Sequence, residues 1–326
     1  MSSRLDNFTR ELVRILPLAP KDSVNPSGHI HPRLDTWSVI SVVIPAHNEA
    51  SVIGRLLTGL LADARSDELH VVVVANGCSD ETAEIAASFG GRVLVVSTAI
   101  AAKSNALQLG DQHARGFPRL YVDADVELRT RDVRALADAL GEPGEPGVLA
   151  AAPARVLTMD SRPLTVRWYY DIWQRLPGVR NGLYGRGVIG VSEAGHRRLA
   201  ALPQVMNDDL AASVAFGPHE RRIVRQARVV VHPPRTATDL MRRRVRALTG
   251  IAQLENTMDG IGGARTTRAD LLRILRAEPA MAPRLAVFLG VTAVARWKAR
   301  RPIRSRDYTT WLRDDSSRAV ATKESR

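Results

Sequence analysis

The sequence predicts an α/β fold, a mostly parallel sheet flanked by helices. Short, nearly continuous apolar runs rich in valine and isoleucine recur from Ser38 onward, the pattern of strands buried on both faces. Between them lie stretches with apolar residues at helical spacing, and such alternation of strand and helix builds parallel sheets. At 326 residues, 45% of them hydrophobic, the chain can bury a sizeable core.

The elements follow in order. SVISVVIP is a buried strand stopped by Pro45. NEASVIGRLLTGLL then puts Val52, Ile53, Leu56, Leu57, Leu60 and Leu61 at helical spacing. LHVVVVA, from Leu69 to Ala75, is the second strand, and the turn NGCSD places Asp80 to cap the helix ETAEIAASF. RVLVVS and RLYV are the third and fourth strands, separated by helical KSNALQLGDQHA. RDVRALADAL reads as a helix, GEPGEPG as a loop and VLAAAPARV as a strand. The stretch from Tyr169 to Leu202, rich in aromatics and glycine, reads as an irregular region facing a substrate plus one short helix. ARVVVH, ending at His232, is the last clear strand; from Pro233 the chain reads as helical and basic.

Lysine and arginine total 46 against 34 acidic residues, a net charge of +12. Such a chain is drawn to nucleic acid, anionic lipid or phosphorylated substrates. No recognisable nucleic-acid motif is present, so nucleic acid is not an expected partner. A single cysteine, Cys78, excludes a disulfide framework and a multi-cysteine zinc site. The amino terminus has no signal-peptide pattern and no apolar run reaches about 18 residues, so a cytoplasmic setting is expected. LAVFLGVTAVA, from Leu285 to Ala295, is too short to span a bilayer. Residues 284–306 join that run to Trp297 and several cations. They suit either contact with an anionic membrane surface, at its inner face, or an amphipathic helix packed on the rest of the protein.

Ligands of parallel sheets bind beyond the carboxyl ends of the strands. That rule lines up Pro45 to Glu49, Asn76 to Asp80 and Asp123 to Asp125 on one rim. In YVDADVEL, Asp123 and Asp125 offer the hard oxygen ligands that suit Mg²⁺ or Mn²⁺. The same pattern also suits two solvated turn carboxylates. In MNDDL, Asp208 and Asp209 precede helical LAASVAF, either as first-turn acids that complement the helix dipole or as the seat of a general base.

The order VVIPAHNEA, VVVVANGCSDET, AAKSNALQLG, YVDADVEL, MNDDL and RRRVRALTG resembles the family 2 glycosyltransferases. These are inverting, nucleotide-sugar-dependent enzymes of the GT-A fold, and the resemblance covers roughly residues 40 to 250. With the Pro/Gly/Ser-rich start read as a lead-in over 1–36 and the basic end as a helical, arginine-rich C-terminal region over 236–326, the resemblance implies a GT-A catalytic domain over 37–235. By this resemblance Pro45, Ala46, Asn48 and Glu49 lie against the nucleotide. In the second motif Ala75 replaces the family's first aspartate, leaving Asn76 to meet the base and Asp80 to close the motif. Lys103 takes the family's basic position beside the nucleotide. Asp123 is implied to help hold ribose and metal, and Asp125 to bind the divalent ion. Asp209 is implied as catalytic base, with Asp208 in place of the family's glutamate. His232 stands where some relatives have a histidine metal ligand.

Processive members carry Gln-x-x-Arg-Trp; here only the arginine, Arg246, is kept. The implied activity is therefore nonprocessive transfer of one sugar from a nucleoside diphosphate sugar, UDP-sugar favoured, to a hydroxyl acceptor. Two other classes fit less well. A sugar nucleotidyltransferase would need a glycine-rich, arginine-containing loop where PAHNEAS stands. A nonenzymatic binder of anionic surfaces or nucleic acid would use the net charge but has no need of Asp123, Asp125 and Asp209.

Overall fold

A computed structural model describes residues 39–141, 147–203, 208–257 and 266–305. The expected lead-in lies outside these residues, as do most of the GEPGEPG loop, Met206 and Asn207 of MNDDL, and the chain beyond 305.

Among the described residues seven strands form one sheet: β1 (Ile40–Ala46), β2 (Leu69–Asn76), β3 (Val93–Thr98), β4 (Arg119–Val122), β5 (Ala150–Leu157), β6 (Val188–Val191) and β7 (Arg221–Val231). Their order is β3-β2-β1-β4-β6-β5-β7. The pairs β1–β2, β2–β3, β1–β4 and β5–β7 are parallel, and only β6 runs against its neighbours. Sequence reasoning left β6 inside an irregular region. It is only four residues, VIGV, yet all four are buried. A run that short carries no period that separates it from a loop.

The helices are α1 (Ala50–Leu61), α2 (Thr82–Ala87), α3 (Lys103–His113), α4 (Thr130–Ala139), α5 (Leu164–Trp173), α6 (Pro177–Asn181), α7 (Glu193–Ala200), α8 (Asp208–Ala215), α9 (Ala237–Thr257), α10 (Arg268–Ala277) and α11 (Ala282–Arg304). Side-chain alternation splits the strands between two layers. Ile40, Val42 and Ile44 of β1 pack with α1 and α4 through Ile53, Leu56, Leu60, Val133 and Leu136. On the other face, Val72 and Val74 of β2 meet Ala106 of α3, and Ile189 and Val191 of β6 meet Ala212 and Phe216 beside them. The expected helical face of α1 is buried at all six predicted positions. Three of the expected C-terminal helices share a separate apolar cluster with α5, in which Leu240, Ile274 and Phe288 surround Tyr169.

Pro45 does not stop β1; the strand runs one residue further, with Pro45 buried. Pairing of β1 with β4 ends at Val43 and Tyr121, so Pro45 lies past the last position recorded on that side. The connections leave β1 toward β2 on one side, while β4 lies on the other. This is a topological switch point, and the crevice it opens lies at the carboxyl ends of β1 and β4.

Helix α3 approaches this sheet closely. A Cβ built on Gly110 would come within 2.3 Å of Val43 Cγ1. Gly110→Val should therefore overpack the α3–β1 contact and lower stability by about 1–3 kcal/mol, read as a lower urea midpoint at unchanged slope.

Candidate active site

The turns after β1 and β2 are stitched into one wall. Asn48, held at φ +51, accepts a hydrogen bond from the Ser79 amide at 2.7 Å. The Glu49 amide donates to Thr82 Oγ1 at 2.7 Å, and the Ala50 amide donates to Asp80 Oδ2 at 3.1 Å. Asp80 also accepts from the Thr82 amide at 3.2 Å, so its carboxylate serves the starts of both α1 and α2. Burial works against the ionised form of Asp80, but these hydrogen bonds outweigh it and hold its pKa below the usual value.

Asn76 was expected to meet a base edge. It is 3% exposed, and its amide donates inward to Ala46 O at 2.7 Å and Val74 O at 3.4 Å. Its side chain braces the ends of β1 and β2 instead. Ala46 and Glu49 are buried as well, so this wall offers a ligand mainly its backbone and rim.

The charged residues converge at the second wall. Lys103 opens α3, and its Nζ bonds Asp123 Oδ1 at 2.8 Å and Asp208 Oδ2 at 2.9 Å. It is not a solvated helix-start lysine. Burial would depress its pKa, but Asp123, Asp208 and then Asp209 outweigh that and raise it. Arg246 reaches the same group from α9. Burial lowers its pKa, and the fields of Asp208, Asp123 and Asp209 oppose the shift. Residues some 140 positions apart thus form one cluster of alternating charge.

Asp209 is half-buried in the first turn of α8. Its Oδ2 accepts the Gly185 amide at 2.8 Å. Desolvation and then the charge of Asp208 push its pKa up, against the Gly185 bond and Lys103. A carboxylate poised above its ordinary range is suited to take a proton.

Sequence reasoning missed the loop that joins the two carboxylate sites. Gly185 and Gly187 both have φ +66, a conformation that glycine adopts at no steric cost. Gly185 holds Asp209, while Gly187 O accepts the Asp123 amide at 2.8 Å. A Cβ on Gly187 would come within 3.2 Å of Asp123 Oδ2. Half-buried Arg155 and buried Arg186 fix the loop from behind. Arg155 lies over the Trp173 ring and donates to Gly185 O at 3.0 Å, and Arg186 donates to Pro153 O and Arg180 O. The signal was the pair of glycines in YGRGV, two residues apart ahead of a strand.

His232 lies just past β7. Its Nδ1 shares a hydrogen bond with Thr158 Oγ1 at 2.9 Å and its Nε2 lies 2.8 Å from Glu127 Oε1. Burial and then Arg55 lower its pKa, while Glu127 and Asp125 act the other way. Among the described residues no three metal-ligating side chains already converge. Such a site provides one or two carboxylates and leaves the remaining positions to ligand oxygens and water, the manner in which Mg²⁺ and Mn²⁺ are held. The half-exposed Asp123 carboxylate, Asp125 in the same turn and the adjacent imidazole are a donor set that suits either ion.

Residues 41–197 match the family model described as glycosyl transferase family 2. Over this stretch the chain belongs with the family 2 glycosyltransferases. Among curated relatives, the 4,4'-diaponeurosporenoate glycosyltransferase of Staphylococcus aureus strain bovine RF122 / ET3-1 is 34% identical over 122 residues. That match covers 36% of this chain and 32% of the relative, so the chain spans about a third of the relative's length. The chain also has the fold of solved enzymes. A mannosyltransferase from Pyrobaculum calidifontis, in complex with GDP-Man and Mn²⁺, aligns at TM-score 0.52 and 20% identity over 86% of this chain and 85% of its own. Glucosyl-3-phosphoglycerate synthase from Mycobacterium tuberculosis, in complex with Mn²⁺, UDP and phosphoglyceric acid, aligns at TM-score 0.50 and 18% identity. It covers 68% of this chain and 80% of its own. The expected GT-A architecture is therefore present, with the helical C-terminal region attached.

The electrostatics give two opposite stability outcomes. Lys103→Met leaves Asp123 and Asp208 facing each other and should cost about 1–2 kcal/mol, since solvent screens two partly exposed carboxylates. Asp209→Asn should do the reverse. Its folded pKa is raised, so ionised Asp209 costs stability above the ordinary carboxylate pKa of about 4, and the amide removes that cost. The variant's gain in melting temperature should be largest near neutral pH and vanish below about pH 4, where the acid is protonated in both states.

Proposed function

We propose that this chain is a nonprocessive, inverting glycosyltransferase that moves one sugar from a nucleoside diphosphate sugar, UDP-sugar favoured, to a hydroxyl acceptor. Asp209 is the general base. The observation that carries the reading is the convergence of Asp209, held by the Gly185 amide, with the Lys103–Asp123 pair at the switch-point crevice.

In this reading the nucleotide lies along the wall from Ala46 to Asp80, against Asn48, Glu49 and the backbone of Asn76. Pro45 and Asp80 shape that wall from within. Asp123 and Asp125 would hold Mn²⁺ or Mg²⁺, with His232 as a further ligand if its Nε2 leaves Glu127. Such an ion supplies electrostatic neutralisation of the departing diphosphate. Lys103 and Arg246 add fixed positive charge to the same end, and Asp208 holds Lys103 in place. The acceptor oxygen forms its bond to the sugar C1 as the bond from C1 to the diphosphate oxygen breaks on the opposite face. The hydroxyl proton passes to Asp209. Attack from the opposite face inverts the anomeric configuration, as in single-displacement glycoside hydrolysis.

The nucleotidyltransferase reading has no support in the family match. Among the described residues no helix is long and apolar enough to cross a membrane. A surface role remains part of the proposal. Helix α11 exposes Leu289, Val294 and Trp297, with Trp297 at 66%, beside exposed Arg296, Lys298, Arg300, Arg301 and Arg304. This places apolar and cationic groups side by side as interfacial helices do. The protein should float with phosphatidylglycerol vesicles and not with phosphatidylcholine vesicles. Trp297→Ser and raised salt should each weaken the association.

The base assignment has its own test. Asp209→Asn should cut turnover by at least about 10³-fold while leaving donor affinity within a factor of about three. Asp125→Ala should instead weaken binding of UDP in the presence of Mn²⁺ and leave binding without the ion unchanged, both by titration calorimetry. Normal turnover by the Asp209 variant would remove the assignment.

A further inference from the structure

Behind the cluster of charges lies a cavity of about 440 Å³, within the range of about 300–1,000 Å³ common to small-molecule sites. Lys103, Asp208, Asp209 and Arg246 stand at its charged end. Its floor is the sheet. Tyr121 of β4 and Ile189 of β6 are directly paired across the strands, so both side chains point to the same face. The walls are Leu107 of α3, Leu199 and Leu202 at the end of α7, and Ala211 and Ala212 of α8.

The polar atoms on the floor are already matched to one another. Asp111 Oδ1 accepts from Arg119 at 2.7 Å and from the Tyr121 hydroxyl at 2.8 Å, and that hydroxyl lies 2.9 Å from His196 Nδ1. Burial first, and then the charge of Asp111, raise the Tyr121 pKa and keep the phenol neutral. Asp111 and Tyr121, the members of this group that line the cavity, are thus engaged with each other, while the buried Arg119 Nε, which has no hydrogen-bond partner, lies outside the lining. Ser104, Gln108 and Gln253 supply the other polar side chains of the lining. A cavity with leucine, isoleucine and alanine walls, over a floor whose tyrosine and aspartate bond each other, rewards apolar surface, and it penalises an anion or a polyol that would lose its water there.

We propose that this cavity receives the acceptor, and that the acceptor is a hydroxyl compound with an apolar body. Its hydroxyl stands at Asp209 and its hydrocarbon part lies between α3, α7 and α8. The inference rests on the reading of Asp209 as base only for the direction in which the acceptor lies. The cavity itself would bind an apolar group whichever residue removes the proton. A phosphorylated acceptor would need cations along the walls, whereas Lys103 and Arg246 both stand at the carboxylate end.

The test is binding of two probes to the full chain by titration calorimetry below the micelle threshold: n-octyl β-D-glucopyranoside and methyl β-D-glucopyranoside. The octyl compound should bind at least about tenfold more tightly, since each buried methylene favours the longer chain. Leu107→Trp, which fills the cavity from its half-buried wall, should abolish the preference. Leu107→Gln, close in size and tolerated in a helix, should reduce it and guards against a variant that fails to fold. Equal affinity for the two probes overturns the proposal. A preference that survives in both variants also overturns it, because the alkyl chain then sits elsewhere, and tighter binding of glycerol 3-phosphate than of octyl glucoside overturns it too. The Asp209→Asn variant separates the two readings. Retained octyl preference with undiminished turnover leaves the cavity standing and removes the base, whereas loss of turnover without an octyl preference does the opposite.

Discussion

Two carboxylates from distant parts of the chain share one lysine. Asp123 follows the fourth strand, Asp208 opens a helix 85 positions later, and the Lys103 ammonium bonds both. Without that cation, Asp123, Asp208 and Asp209 would repel one another across a half-buried space. With it, the end of β4 and the start of α8 are tied together, and Asp209 is set where the charges of both sides meet. Arg246 reinforces this from a third direction. Burial and then the charge of Asp208 raise the Asp209 pKa, because one lysine divided among three acids does not offset both.

The scaffold around the bridge is built to keep it fixed. The switch between β1 and β4 opens the crevice, and the close packing of α3 on β1 at Gly110 sets where Lys103 emerges. The loop through Gly185 and Gly187 bonds the Asp123 backbone on one side and the Asp209 side chain on the other. Arg155 and Arg186 hold that loop by donating to carbonyls, with burial lowering the pKa of Arg155 to about 9 and that of Arg186 to about 10. These two cations are spent on backbone geometry. They stiffen the seat of the base and offer little to a ligand.

The parts of this design that repeat were legible in the sequence. The longer apolar runs of β1 and β2 and the helical spacing of α1 are local signals, and the motif order pointed to the glycosyltransferase family that residues 41–197 match. What was not legible depends on contacts between distant residues. Strand β6 is four residues long and defined by its partners, so nothing local marked it. Asn76 kept its identity within a recognisable motif, yet its side chain turns inward because Ala46 O is the acceptor in reach. The role of the two glycines in YGRGV, and of Arg155 behind them, follows from three segments meeting in space. Lys103 stood out by position, but its two ion pairs, to Asp123 and to Asp208, required the fold.

If donor diphosphate and base occupy opposite sides of this bridged cluster, anomalous diffraction from a crystal grown with UDP and Mn²⁺ will show it. A manganese peak is expected at the Asp123–Asp125 turn, with the diphosphate between that peak and Lys103, and the Asp209 carboxylate outside the coordination sphere with its bond to Gly185 intact. A peak coordinated by Asp209, or a diphosphate bound away from Lys103, would contradict it.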